Sequence, residues 1–182
     1  MHKKTCIYKN SCYYLTENRK GFDMKLKEDL KGFAPNGIGK KIGTVFFNPC
    51  FHSVVLYRLS NLFYKMHLSV LSKFLWYLNR MLFHVDIDYR ADLAGGFVLI
   101  HGLGTVIGKD VCSKGKLFIY QGVCLGGNGN KKRLDDFGQT WTQPLLENNV
   151  KIFTGAYIFG PVIVHENAIV KAGSIITQDI EI

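Results

Sequence analysis

The sequence predicts a mainly β fold, a parallel β-helix preceded by a small α-helical region, and three observations carry that prediction. Every sixth residue from Ile152 is aliphatic: Ile152, Ile158, Val164, Val170, Ile176 and Ile182. Upstream, the same comb picks out Ile87, Leu93 and Leu99, then after an eight-residue step Ile107, Ser113, Ile119 and Leu125. A helix repeats at about 3.6 residues and a lone strand at about 2, so a six-residue period marks short strands on the flat faces of a coil. One tooth per face points inward, and stacked coils bury a continuous column in which each coil supports its neighbours. Ser113 is the weak tooth. The third observation is a change of character at Asp86, before which the chain is aromatic, apolar and helical in its spacing.

The N-terminal segment is basic. Net charge is +9 over 182 residues, and residues 1–41 hold ten Lys/Arg against four Asp/Glu. Residues 1–45 therefore read as a solvated basic arm, with anionic lipid or an acidic partner as candidate contacts. No RRM, zinc-finger or helix-turn-helix pattern accompanies the lysines, so nucleic acid is not expected as a partner. The first 23 residues, ahead of Met24, also read as an extension of small consequence. They lack the apolar stretch and cleavage site of a secretory signal. Five scattered cysteines (Cys6, Cys12, Cys50, Cys112, Cys124) form neither a zinc site nor a dense disulfide framework, which points to a reducing, cytoplasmic address. With 47% hydrophobic and 20% charged residues the chain is of globular composition, neither disordered nor collagenous.

The helical region spans residues 46–85 and holds ten of the 24 Phe, Tyr and Trp residues. Val55, Leu59, Leu62, Phe63 and Met66 share one helical stripe, and Leu71, Leu75, Leu78 and Leu82 share another, so two helices are expected. Arg58, Lys65, Lys73 and Arg80 interrupt the run, leaving no uncharged stretch long enough to cross a bilayer. Packing against the rest of the molecule is one use of these helices. A peripheral position at the inner face of the plasma membrane, with Phe74, Trp76 and Tyr77 beside Lys73 and Arg80, is the other.

The β-helix is expected over residues 86–182, with an extruded loop at 126–150 where the comb stops and Gly, Asn and charge accumulate. The eight-residue step holds His101, where a coil must bulge and re-aim its side chains. Asp86 lies fifteen residues earlier. A triangular coil of three six-residue faces brings the two near one corner. A carboxylate there would orient the imidazole and leave its other nitrogen as a general base, whereas a structural histidine is the plainer reading of the same spacing. His84, His101 and His165 lack the spacing of a three-histidine metal site, and no metal is expected.

The stretches VDIDYRADLAGGFVLIHGLGTVIGKDV, IYQGVCLGGNG, KIFTGAYIFGPVIV and IVKAGSIIT resemble the serine acetyltransferase-like branch of the hexapeptide-repeat acyltransferase superfamily. The resemblance covers roughly residues 46–182 and is closest to the O-acetyltransferases of polysaccharide clusters, the colanic acid type. It implies a left-handed β-helix, a homotrimer or a pair of trimers, and acetyl-CoA as co-substrate in the groove between neighbouring β-helices. By position it makes His101 the general base and Asp86 its orienting carboxylate, and it sets Gly126, Gly127, Thr154, Gly155 and Ala172 along the groove. Lys131, Lys132 and Arg133 are candidates to meet the CoA phosphates, a solvated basic loop being the alternative.

Serine acetyltransferases place a second carboxylate just before the catalytic histidine and an Arg-His pair before a proline in the loop. Here those positions read Ile100, Thr142 and Gln143, ahead of Pro144. The charges expected to pair with an amino acid are absent, and Thr142 and Gln143 are suited to hydrogen-bond neutral hydroxyls. The family also continues past its last coil into a tail that closes over CoA, so either looser CoA binding or an incomplete sequence is expected. The function expected is an acetyl-CoA-dependent O-acetyltransferase acting on a sugar hydroxyl of a bacterial surface polysaccharide or its precursor, direct and metal-free. Serine O-acetylation in cysteine synthesis is the alternative, and a non-catalytic β-helix scaffold is a second one.

Overall fold

A computed structural model describes residues 15–134, 138 and 140–181. Four helices come first: α1 (Leu15–Phe33), α2 (Ile38–Phe47), α3 (Pro49–Lys65) and α4 (Ser69–Phe83). Asn48 starts α3, its side-chain oxygen accepting from the Phe51 N–H with Pro49 in the first turn, a position that needs no N–H donor. The remainder is short strands: β1 (Asp86–Ile87), β2 (Phe97–Ile100), β3 (Val106–Ile107), β4 (Cys112–Ser113), β5 (Leu117–Tyr120), β6 (Cys124–Gly126), β7 (Arg133–Leu134), β8 (Thr140–Trp141), β9 (Leu145–Leu146), β10 (Val150–Ile152), β11 (Tyr157–Phe159), β12 (Ile163–Val164), β13 (Ile169–Val170) and β14 (Ile175–Ile176).

Three parallel sheets form the faces of the coil, ordered β1-β3-β6-β11-β14, β13-β10-β5-β2 and β12-β9-β4. Val106 pairs with Cys124 and Tyr157 with Ile175, so one coil is eighteen residues. The comb is the core. Ile87, Leu93, Leu99, Ile107, Ile119, Leu125, Ile152, Ile158, Val164 and Val170 are all buried, and Ile176 packs against them. Ile182 lies outside the described residues. Burying an aliphatic side chain of this size contributes about 1.5–3 kcal/mol. Ser113 is buried too, and its hydroxyl accepts the Ala94 N–H at 2.9 Å, so the weak tooth satisfies backbone that a methyl group would leave unpaired.

Three expectations change. The interruption of the comb is shorter than 126–150, because β9 rejoins the third sheet with Leu146 beside Ser113, and Leu146 is a fully buried tooth six residues before Ile152. Within the loop, β7 and β8 form an antiparallel hairpin. The described part of the basic arm is not a solvated tail: α1 and α2 occupy it, and buried Asp29 on α1 accepts from Arg58 Nε at 2.8 Å. Finally, α3 and α4 do not bury the predicted apolar stripes. Their most buried positions include Ser53, Arg58, Ser60, Asn61, Ser72 and Asn79. Ser60 and Ser72 each donate their hydroxyl to the other's carbonyl, at 2.6 and 2.8 Å, drawing the two helices together where larger residues would hold them apart.

No described helix is long and apolar enough to cross a membrane. Cys50 and Cys124 are free thiols.

Candidate functional site

One corner of the β-helix collects most of the expected groove. It joins the second sheet to the first, and each coil turns there through a left-handed glycine: Gly104 (φ 70°), Gly122 (φ 69°), Gly155 (φ 64°) and Gly173 (φ 68°). Their N–H groups donate in series to the carbonyls of His84, Leu103, Gln121 and Thr154. Positive φ favours glycine, which explains the recurrence. Thr154, Gly155 and Ala172 therefore lie together on successive coils, and no atom comes within 4 Å of where a Cβ on Gly155 would sit. The corner is open there.

His101 opens the first of these turns. It is exposed and itself left-handed at φ 67°, a conformation costly for a non-glycine residue and concentrated at functional positions. The extra residues of the eight-residue step form this turn, closed by the Thr105 N–H donating to the Gly102 carbonyl at 3.1 Å. Asp86 starts the first sheet beside Val106. No hydrogen bond joins its carboxylate to His101. Instead the Trp76 indole N–H donates to Asp86 Oδ1 at 2.8 Å and Arg80 Nε stands 3.7 Å from Oδ2. Burial, and then the charge on Asp86, push the Cys124 thiol above its ordinary range.

The other expected residues sit across the first sheet, at its far corner. Gly126 ends β6 and Gly127 enters the loop, which returns past Thr142 and Gln143. Those two side chains turn toward the neighbouring coil: the Asp110 N–H donates to Gln143 Oε1 at 3.3 Å, and the Thr142 hydroxyl donates to Asp110 Oδ2 at 3.4 Å. Lys131 and Lys132 are exposed, whereas Arg133 donates to Asp179 at 2.7 Å and lies over the Trp141 ring. Within one copy, then, the His101 corner and the loop corner are separated by the width of the first sheet. Among the described residues no group of three His, Cys, Asp or Glu gathers in a metal-binding arrangement.

Sequence reasoning missed Trp76 and Arg80. The available signal was their spacing of four on one helix face, just ahead of Asp86; the sequence reading sets both on a helix that packs on the rest of the molecule or lies at a membrane, without linking them to Asp86.

A serine acetyltransferase from Synechococcus elongatus is 35% identical to this chain over 132 residues, which is 72% of this chain and 51% of that protein. One from Bacillus pumilus is 32% identical over 129 residues, 71% of this chain and 56% of the relative. The structure of Neisseria gonorrhoeae serine acetyltransferase in complex with serine superposes with a TM-score of 0.76 at 26% identity, covering 88% of this chain and 64% of that one. The chain is similar, through part of its helical region and its coils, to serine acetyltransferases. No family model matches it. This hexapeptide-repeat chain spans about half the length of the curated relatives it matches.

The likeness corrects the expected acceptor. Relatives between 28% and 35% identical over most of the chain are named serine acetyltransferases, so the polysaccharide reading is overturned and the serine alternative fits better. The sugar reading leaned on Thr142 and Gln143 as free hydrogen-bonding groups, and in the structure both are engaged at Asp110. The expected membrane contact finds no support in these likenesses.

Proposed function

We propose that this chain carries the acetyl-transfer unit of a serine O-acetyltransferase, a cytoplasmic enzyme using acetyl-CoA and L-serine. The observation that carries the reading is the 35% identity to a serine acetyltransferase over 132 residues, with exposed His101 on the strained turn. His101 takes the proton of the serine hydroxyl as the oxygen attacks the thioester carbonyl. The C–S bond then breaks, and the departing CoA sulfur recovers that proton from the imidazole. The open corner at Thr154, Gly155 and Ala172 suits the pantetheine arm, and a backbone amide near Gly126 and Gly127 suits the oxyanion.

The separation of the two corners within one copy favours a trimer of left-handed β-helices, in which the loop corner of one copy faces the His101 corner of the next. The outward residues of the first sheet, among them Val106, Tyr157 and Ile175, are exposed apolar groups that such packing would cover. Thiol release from acetyl-CoA, measured with and without L-serine, tests the activity. Serine-dependent release is expected, falling about 10²–10⁴-fold in His101→Ala with the trimer mass and melting temperature retained. Release that ignores serine, or survives in the variant, would overturn the reading.

A further inference from the structure

Helices α2 and α4 are packed with small polar residues inward and apolar residues outward. On α4 the outward stripe is Val70, Phe74, Tyr77 and Met81, each more than half exposed, at a spacing of i, i+4, i+7 and i+11. The opposite side holds Ser72 and Asn79, both buried and donating to carbonyls of α3. α2 repeats the pattern: Ile38, Ile42 and Val45 form an exposed apolar stripe with Phe46 beside it, and the buried residue is Thr44. The two helices come together at their C-terminal ends. There His52 of α3 donates through Nε2 to the Val45 carbonyl at 2.7 Å, and its ring lies 6.3 Å from that of Phe83. Phe46, Phe47 and Leu82, their neighbours in the chain, are exposed.

Apolar surface on this scale marks a contact face, and its charge decides between partners. No Asp or Glu occurs from residue 30 to residue 85, against seven Lys/Arg. Arg58, Lys65 and Arg80 stand against Asp29, Asp92 and Asp86, which leaves Lys40, Lys41 and Lys73 without a carboxylate among the described residues. Lys41 and Lys73 each follow the first member of their stripe by three residues and so lie at its edge. A second copy closing on the same face would bring only cations to it. An anionic lipid surface supplies the missing charge, and apolar, aromatic and basic groups together suit the depth of its headgroups.

We propose that α2 and α4 dock the protein on an anionic membrane surface, with their apolar stripes among the acyl chains and Lys40, Lys41 and Lys73 at the phosphates. The contact goes beyond the acetyl-transfer reading and holds whichever acceptor the enzyme takes. It uses other residues than the sequence reading does: Trp76 and Arg80 turn to Asp86, and the lipid-facing side chains are those of the exposed stripes.

Co-sedimentation of the full chain with vesicles tests the face. Phosphatidylcholine vesicles containing phosphatidylglycerol are expected to carry the protein down, pure phosphatidylcholine vesicles at least tenfold less, and raised salt should release it. Phe46→Ser with Phe47→Ser, and Phe74→Ser with Tyr77→Ser, are each expected to lower the partition coefficient about tenfold or more. Lys40→Glu with Lys41→Glu should do the same on anionic vesicles alone. None of these side chains is buried, so oligomer mass, melting temperature and helical circular dichroism should match wild type. Equal binding to neutral and anionic vesicles, no binding to either, or variants that bind as wild type does overturns the proposal. So does a smaller oligomer in the two apolar variants when wild type ignores vesicles, which would give the face to a second copy.

Discussion

The β-helix and the helices in front of it are stabilised in opposite ways. In the β-helix, buried side chains are aliphatic, contacts run to the coils above and below, and polar groups are satisfied by the strand ladders. The helical part buries a charged pair and a set of small polar residues. Arg58 donates to both oxygens of Asp29 and to the carbonyls of Leu93 and Ala94, while Asp29 also accepts the Phe97 N–H. Asn61 donates to the carbonyls of Tyr89 and Ala91, and the Tyr57 hydroxyl donates to Ala91. These bonds reach the irregular stretch between β1 and β2, where the backbone lacks a full ladder. The helices thus supply the missing partners of the first coil, and the lesson is that a solenoid end needs polar wiring where its middle needs only repetition.

Removing one member of the wiring should break this contrast hardest. Arg58→Ala leaves Asp29 buried without its cation and the Ala94 carbonyl without its guanidinium donor, while the Leu93 carbonyl keeps Lys25, and should cost about 3–5 kcal/mol in urea denaturation. An apolar double replacement, Asp29→Leu with Arg58→Met, is expected to recover much of that loss; no recovery would mean that the bonds to the coil outweigh the pair itself. In the β-helix, Leu125→Ala should cost about 3 kcal/mol through lost transfer energy and a cavity, with the helices' mutual packing unaffected. Ser113→Ala, the polar exception inside the comb, should cost about 1–2 kcal/mol by stranding the Ala94 N–H, and a neutral result would show that serine there is a tolerated filler.

The smallest effect concerns acid. Burial would raise the Asp92 carboxyl, but Lys25 and Lys65 together override it and hold the group below the usual carboxylate range. Lys25 faces one carboxylate against the like charges of Lys65 and Arg58, and burial leaves its ammonium below the ordinary lysine value. Because the folded carboxyl is depressed, its contribution is fully present above about pH 4, the ordinary aspartate value, and is lost as pH falls through the lower folded one. Denaturation midpoints at pH 3 and pH 6 should differ less in Asp92→Asn than in wild type. Equal differences would remove Asp92 from the acid response.

The comb was readable because each coil repeats the same local demand: one inward aliphatic residue per face, at a fixed interval. Leu146 escaped notice only because the charged loop before it hid where the register resumed. The helical faces were misread for a physical reason. Helical periodicity assumes that the buried side is the apolar one, whereas α3 and α4 meet through Ser60 and Ser72, whose hydroxyls bond across the interface. The turn at His101 was legible from the irregular step, since a coil that gains two residues must turn differently. The bond from Trp76 to Asp86 was not, because nothing in the order of residues reports which oxygen a side chain ten positions away will find.

The left-handed glycines at the His101 corner act as a ruler that measures position around the coil and ignores chain length. Val106 meets Cys124 eighteen residues on, yet Cys124 meets Tyr157 thirty-three residues on, and the column of turns continues through Gly122 and Gly155 undisturbed. An insertion on the opposite corner is therefore invisible to the stack. Descent with modification can lengthen, shorten or rewrite that loop without renegotiating a single buried contact, and a duplicated eighteen-residue unit would slide into the pile as another storey.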